Sequence, residues 1–387
     1  MATTERRATK AVSRKAAAAP PLTVDELVQR DNTPAEMPLP EDIDAQLRRH
    51  EVHLTLRDPR LSIDPANVLV EDRELGKGVW RLTAPEDAIV GLPGRTAILE
   101  KRPASRNGGG AAAEAFRPAW VDHVYHPKLS GLPERMAIRR IGGKLVEPYY
   151  GVYAPDDRRV YYPSGYPWQC IGRVFTWTNA SSPNWSFYGS GVLIGGRVML
   201  TAGHMIPWGS SNWKMLFVPG YYDGQSVNGA GAQSWVSDCY GWNTGGTVAA
   251  HDMAVCRLYT PLGGWLGYLG AKTYDSSWQD GNYWTLCGYP YSITGGARPS
   301  YQSGIPVLDD DSDGSAEELE HHGDSTPGDS GGPFFGFWND GPYAIGTTSG
   351  GERIYNTPFG WWDEDNNIEA GGAAMVDLVR WGRQNWP

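Results

Sequence analysis

Gly328-Asp329-Ser330-Gly331-Gly332-Pro333 surrounds one serine with three glycines and closes on a proline. A serine hydroxyl is a poor nucleophile at neutral pH. It needs a base within hydrogen-bond reach, and that base needs a buried carboxylate to fix its tautomer and stabilise its cation. The glycines let the backbone turn sharply, so the amides of Gly328 and Ser330 can converge on one spot beside the hydroxyl. A plain glycine-rich turn is the competing reading. An isolated G-x-S-G would leave the two in balance, whereas the whole hexapeptide favours a nucleophile.

Upstream lie eight histidines, and most invite a surface or packing role. His50, His53, His123 and His126 fall in the first third, His321 and His322 precede the serine loop, and His251 adjoins Asp252. His204 differs because it ends Leu200-Thr201-Ala202-Gly203-His204, a buried run leading into small residues that leave room for an imidazole. Asp252 starts the apolar run Met253-Ala254-Val255, where an ionised carboxylate is costly without a donor such as a histidine N–H. The alternative for Asp252 is a strand-start residue facing water. Base, orienter and nucleophile thus occur in the order His204, Asp252, Ser330.

Glycine (49) and proline (29) are abundant, and tryptophan (17) with tyrosine (20) exceeds lysine plus arginine (34). Short aromatic runs broken by these residues predict a β-rich body. Gly191-Val192-Leu193-Ile194-Gly195 and Val198-Met199-Leu200 read as buried strands about a Gly-Gly turn, and Met253 to Leu258 and Tyr343 to Ile345 as further strands. Residues 373–384 put Met375, Leu378 and Val379, with Val376, on one face of a closing helix. A net charge of −10 argues against a phosphate-tracking groove, so no nucleic-acid partner is expected. No apolar run is long enough for a membrane span, and residues 1–20 lack the apolar stretch of a signal peptide. Cys170, Cys239, Cys256 and Cys287 allow two disulfides in three connectivities or none, and form no metal-ligand spacing.

Three segments are expected. Residues 1–45 read as a disordered basic, Ala/Pro-rich arm, residues 46–150 as a pro-region, and residues 151–387 as the catalytic body. Val68-Leu69-Val70 and Ala88-Ile89-Val90 supply apolar runs in the second segment, and residues 107–114 form a low-complexity break.

On these residues the chain resembles the chymotrypsin-fold serine proteases, and among them the bacterial glutamyl endopeptidase branch. Residues 190–195 with Thr201-Ala202-Gly203-His204 are similar to that branch's histidine signature, with Val198 where threonine is usual. Residues 151–158, Tyr166-Pro167-Trp168 and Ile171-Gly172 resemble the start of its mature enzyme, and Gly288-Tyr289-Pro290 and residues 321–333 also match. The resemblance spans residues 152–387 and leaves the first 150 uncovered.

It implies an all-β architecture of two six-stranded antiparallel barrels and a short C-terminal helix, with the site between the barrels. It also implies an extracellular, monomeric endopeptidase that acts on protein or peptide through an acyl-enzyme. The triad would be His204, Asp252 and Ser330, with the Gly328 and Ser330 amides as oxyanion hole and no cofactor. Ser349 would line the cleft, and Gly351 would pair with substrate backbone as an added strand. The strongest alternative is a catalytically silent member that binds peptide or carbohydrate, using Trp361-Trp362 as an aromatic platform.

Three features depart from the branch. Thr348 stands where Glu-selective members carry a histidine, and Asp324 lies six positions before Ser330, where trypsin-like enzymes bind Arg or Lys. A basic or relaxed P1 preference is therefore expected, against Glu. The rival is a structural Asp324. Asp329 stands where the branch has Asn or Gln, which predicts a zymogen whose cut, near residues 150–152 or after Arg140, frees an amine to pair with Asp329. Finally, Asp309-Asp310-Asp311-Ser312-Asp313-Gly314 with Glu320 fits the calcium-loop pattern, against the reading of a solvated acidic turn.

Overall fold

The computed structural model describes residues 18–30, 38–48, 51–56, 73–76, 79–85, 95–98, 112–130, 140–141, 144–145, 151–246, 249–356 and 361–387. The two apolar runs around the Gly-Gly turn become strands Phe187–Gly195 and Val198–Thr201, with Val192 facing Leu200 and Leu193 facing Met199. Their side chains have no solvent exposure. Six strands close into a barrel in the order Lys214–Pro219, Ile171–Trp177, Phe187–Gly195, Val198–Thr201, Ala254–Leu258 and Ser234–Gly241. Pairing of Leu216 with Trp235 and Phe217 with Ser234 completes the circle, so no edge is left open. Arg95–Ile98 adds a parallel strand outside Ser234–Gly241.

The second half is a long, mostly antiparallel sheet. Its path runs Asp309–Asp313, Ala316–His321, Trp361–Gly371, Gly341–Asn356, Pro333–Trp338, Trp284–Gly288, Ser300–Ile305, Arg159–Tyr162 and Lys128–Leu129. Helix Gly372–Asn385 leaves this sheet and crosses to the first barrel. It buries Met375, Val376, Leu378 and Val379, the face read from the sequence. A β-carbon at Gly382 would lie 3.0 Å from Val198, and Arg383 donates to the Ile194 and Leu269 carbonyls. Together these elements make the chymotrypsin-type architecture. Among the described residues, no helix is long and apolar enough to cross a membrane.

Two expectations change. Residues 18–30, assigned to a disordered arm, are ordered on the second sheet. Leu22 donates from its amide to the Phe337 carbonyl at 2.7 Å, and the Trp338 indole donates to Ala19 O at 3.0 Å. Helix Val24–Gln29 starts with a reciprocal Thr23–Glu26 capping box and buries Leu27. Residues 112–129 likewise cannot be separated from the body by packing. Ala113 and Phe116 bridge Ala271 and Tyr268, Trp120 donates to Trp265 O, and Lys128–Leu129 pairs with Arg159–Tyr162. Apolar side chains carried by these segments complete the core, which overrides their polar composition. Farther out, Glu51–Leu56, Val79–Pro85 and Arg73–Gly76 form a small antiparallel sheet within the expected pro-region. The apolar runs at 68–70 and 88–90 lie outside the described residues, as do the side chains of Trp361 and Trp362. All four cysteines are free and buried, with the sulfurs of Cys239 and Cys256 3.4 Å apart on facing strands.

Candidate active site

Strand Val198–Thr201 delivers His204 onto a single helical turn, Gly203–Met205. A side chain at Gly203 would sit 2.6 Å from Trp242 O and 3.1 Å from Asp252 Oδ1, so the small residue lets the carboxylate approach. Asp252 is fully buried and grips His204 twice: the His204 amide donates to Oδ1 at 2.8 Å, and ring Nδ1 lies 2.7 Å from Oδ2. Acceptance by Asp252 sets Nδ1 as the protonated ring nitrogen, leaving the Nε2 lone pair as a base. Two hydroxyls also donate to the carboxylate, Ser349 to Oδ2 at 2.7 Å and Thr244 to Oδ1 at 3.3 Å. Four donors thus compensate one buried charge.

Ser330 is bound to the first barrel through strand Phe187–Gly195. Ser190 N donates to Ser330 O at 2.8 Å, the Ser190 hydroxyl donates to Gly328 O at 2.7 Å, and Tyr289 N donates to that hydroxyl at 2.9 Å. Gly331 packs so tightly that a β-carbon would stand 2.1 Å from Thr201 Oγ1 and 2.9 Å from Ala202 N, two residues before His204. The serine loop therefore abuts the segment that carries the imidazole. Gly328 has φ +106°, a conformation that glycine tolerates and other residues rarely adopt. Among the described residues its amide meets no acceptor. Ser190, Thr244 and the Asp252-binding role of Ser349 were not legible in sequence, since each acts through a contact made between distant strands.

The expected specificity residues divide. Thr348 is buried, its amide donating to Gly332 O and its carbonyl accepting from Gly331 N, both at 2.9 Å. Gly351 pairs with Asn367 across strands Gly341–Asn356 and Trp361–Gly371. Asp324, expected as a receptor for Arg or Lys, has both oxygens engaged by backbone. Tyr153 N donates to Oδ1 at 2.7 Å and Asp157 N to Oδ2 at 2.8 Å. Burial pushes its carboxyl up while these two amides pull it down. Each carboxylate oxygen is thus engaged by one backbone amide in the uncut chain.

In the uncut chain, Asp329 has an internal partner. Its Oδ2 lies 3.4 Å from Nη1 of Arg158, an internal cation, and accepts from Thr326 N at 2.9 Å. The calcium-loop pattern becomes an antiparallel hairpin, Asp309–Asp313 with Ala316–His321, turning at Gly314. Extended backbone spreads its carboxylates along a strand instead of wrapping them round one point. Among the described residues, no cluster suited to a metal ion occurs. The hairpin instead reaches the Asp252 loop, with Glu318 Oε1 accepting from Ala250 N at 2.8 Å and Asp313 Oδ2 lying 3.3 Å from His251 Nδ1.

Behind Thr348, His321 and Glu369 form a fully buried pair, Nε2 to Oε1 3.2 Å. His321 Nδ1 accepts from Gly323 N, so Nε2 carries the proton and donates to Glu369. Burial pushes the glutamate up and drives the imidazole down to about 3.

Two β units flanking a His–Asp pair and a glycine-framed serine define a chymotrypsin-type serine hydrolase. The trypsin family model matches residues 162–359, just over half of the chain, and the protein belongs to that family. It is a serine-type endopeptidase. No curated protein matches the chain. Among solved structures, it is similar to a Glu endopeptidase in complex with MPD, at 20% identity and TM-score 0.44, covering 60% of this chain and 100% of that one. It is also similar to protease Anisep from Arthrobacter nicotinovorans, at 18% identity and TM-score 0.43, covering 59% and 99%. A third is the thermostable serine protease AL20 from an extremophilic microorganism, at 19% identity and TM-score 0.39, covering 56% and 97%.

Proposed function

We propose that the protein cleaves peptide bonds with Ser330 as nucleophile, His204 as general base and then acid, and Asp252 as orienter. The observation that carries this reading is the doubly hydrogen-bonded His204–Asp252 pair beside the serine loop. Ser330 Oγ attacks the scissile carbonyl carbon as its proton passes to His204 Nε2. The carbonyl electron pair moves onto oxygen, where the Gly328 and Ser330 amides donate to it. Collapse expels the amine, which takes the proton from Nε2, and leaves an ester on Ser330. Water, deprotonated by His204, then attacks the ester and releases the acid.

With Asp324 held by backbone, the uncut chain has a relaxed P1 preference. Gly151 N donates to Asn367 Oδ1 at 3.0 Å, and Gly151 O accepts from Ser325 N at 3.1 Å. A cut before Gly151 would leave an ammonium there, beside Asp324 and Gly351, and would favour acidic P1 residues. Maturation thus acts on the specificity pocket, in an extracellular, monomeric enzyme whose catalytic body spans residues 151–387, with no cofactor and no nucleic-acid or membrane partner.

A fluorophosphonate probe is expected to label Ser330, and Ser330→Ala to abolish both labelling and turnover. Chromogenic peptides ending in Arg, Lys, Glu and Phe, offered to uncut and cut chains, test the pocket. Labelling at another residue sinks the triad, and a tenfold preference for Arg or Lys in either form sinks the P1 reading.

A further inference from the structure

We infer that Arg158 is the positioning residue of the oxyanion loop, ordering it in the uncut chain without any freed N-terminal amine. The inference rests on the reading of Ser330 as nucleophile and goes beyond it by naming what holds the serine's neighbours.

Arg158 ends the segment that leads into strand Arg159–Tyr162, and its side chain is only 3% exposed. Its fork closes on Asp156, Nε to Oδ1 and Nη2 to Oδ2, both at 3.0 Å. Nη2 also donates to Ser292 Oγ at 3.2 Å, and Nη1 to Thr326 Oγ1 at 2.7 Å and Asp329 Oδ2 at 3.4 Å. One planar cation therefore spans both ends of the turn 326–329 and the neighbouring Ser292. Lysine, a point charge, would keep an ion pair with Asp329 but lose the fork.

The carboxylate it holds is closely packed. A β-carbon at Gly288 would sit 2.3 Å from Asp329 Oδ1 and 2.9 Å from Asp329 Cα. On either side of Asp329 stand Gly328 and Ser330, the two amides assigned to the oxyanion. Burial pushes the Asp329 carboxyl up to about 6, with Arg158 pulling it back toward the charged form. Without the guanidinium, a buried carboxylate either takes up a proton or turns outward, because an unpaired buried charge is strongly unfavourable. Either change releases the turn that sets Gly328 at positive φ and aims both amides. Asp156 is the second anion on the same fork, so Arg158 stays in place whether or not Asp329 is ionised.

The test uses the full, uncut chain. Arg158→Gly is expected to lose roughly 100-fold in kcat, the size of a lost oxyanion donor, with KM within threefold of the parent. Methylguanidinium in solution is expected to restore much of that loss in Arg158→Gly and to leave the parent unchanged. If Arg158→Gly does not fold, Arg158→Lys is compared with Arg158→Gln at matched thermal stability, with kcat at least tenfold higher for the lysine. Loss without rescue in a folded Arg158→Gly, or equal kcat for lysine and glutamine, overturns the inference. So does a parent chain whose Ser330 reacts with fluorophosphonate only after a cut. Failure of Ser330 to react in both cut and uncut chains would instead strike the nucleophile assignment.

Discussion

At the scale of single residues, the site depends on how one buried carboxylate is satisfied. Asp252 accepts from two groups of His204 and from the hydroxyls of Ser349 and Thr244. Removing the Ser349 hydroxyl takes away one charge-assisted hydrogen bond, worth about 1.5–3 kcal/mol. Ser349→Ala is therefore expected to lower kcat about tenfold or more with little change in KM, measured on a chromogenic peptide. A KM effect alone would make Ser349 a cleft-lining residue and nothing else. The hexapeptide around Ser330 and the run into His204 stand out as candidates because their signals are local: glycines where the backbone turns, small residues where a ring must fit. Asp324 and Asp329 are harder to read for the opposite reason. Each stands at an informative position, but the partner of a carboxylate is chosen by the fold, and here the partners are the amides and guanidinium of residues 153–158.

At the scale of elements, helix Val24–Gln29 carries the clearest consequence. It begins with a capping box, and Leu27 is buried. Leu27→Ala is expected to cost about 2–4 kcal/mol, because a fully packed leucine leaves a cavity when truncated. Urea unfolding followed by tryptophan fluorescence would read the change. An unchanged midpoint would mean that the helix is a loose appendage. A composition rich in charge, alanine and proline hid this helix from sequence, since a few well-placed leucines bind a short segment that statistics assign to disorder. The acidic hairpin at Asp309–Asp313 teaches the same lesson in reverse. Its residues repeat a metal-loop spacing, yet pairing with Ala316–His321 straightens them, and Glu318 and Asp313 turn toward the Asp252 loop.

At the scale of the whole molecule, segments before the family match pack against the catalytic body. Residues 18–30 lie on the second sheet, residues 112–129 pair with residues 268–271 and with strand Arg159–Tyr162, and helix Gly372–Asn385 returns from the second sheet to the first barrel. After limited proteolysis between residues 130 and 151, the two fragments are expected to co-elute on native size exclusion and to separate only in denaturant. Release of the N-terminal fragment under native conditions would show that it is a detachable pro-region. By itself, sequence determined the chemistry and the architecture that presents it: alternating apolar runs, turn glycines, a closing helix, and three candidate side chains in a recognisable order. Those signals are local, carried within a few consecutive residues. Only the tertiary structure decided which cation faces Asp329, what Asp324 holds, whether the thiols pair, and which early segments pack on the later sheets. These are long-range contacts, set by shape and burial across the two halves, and no short stretch of chain encodes them alone.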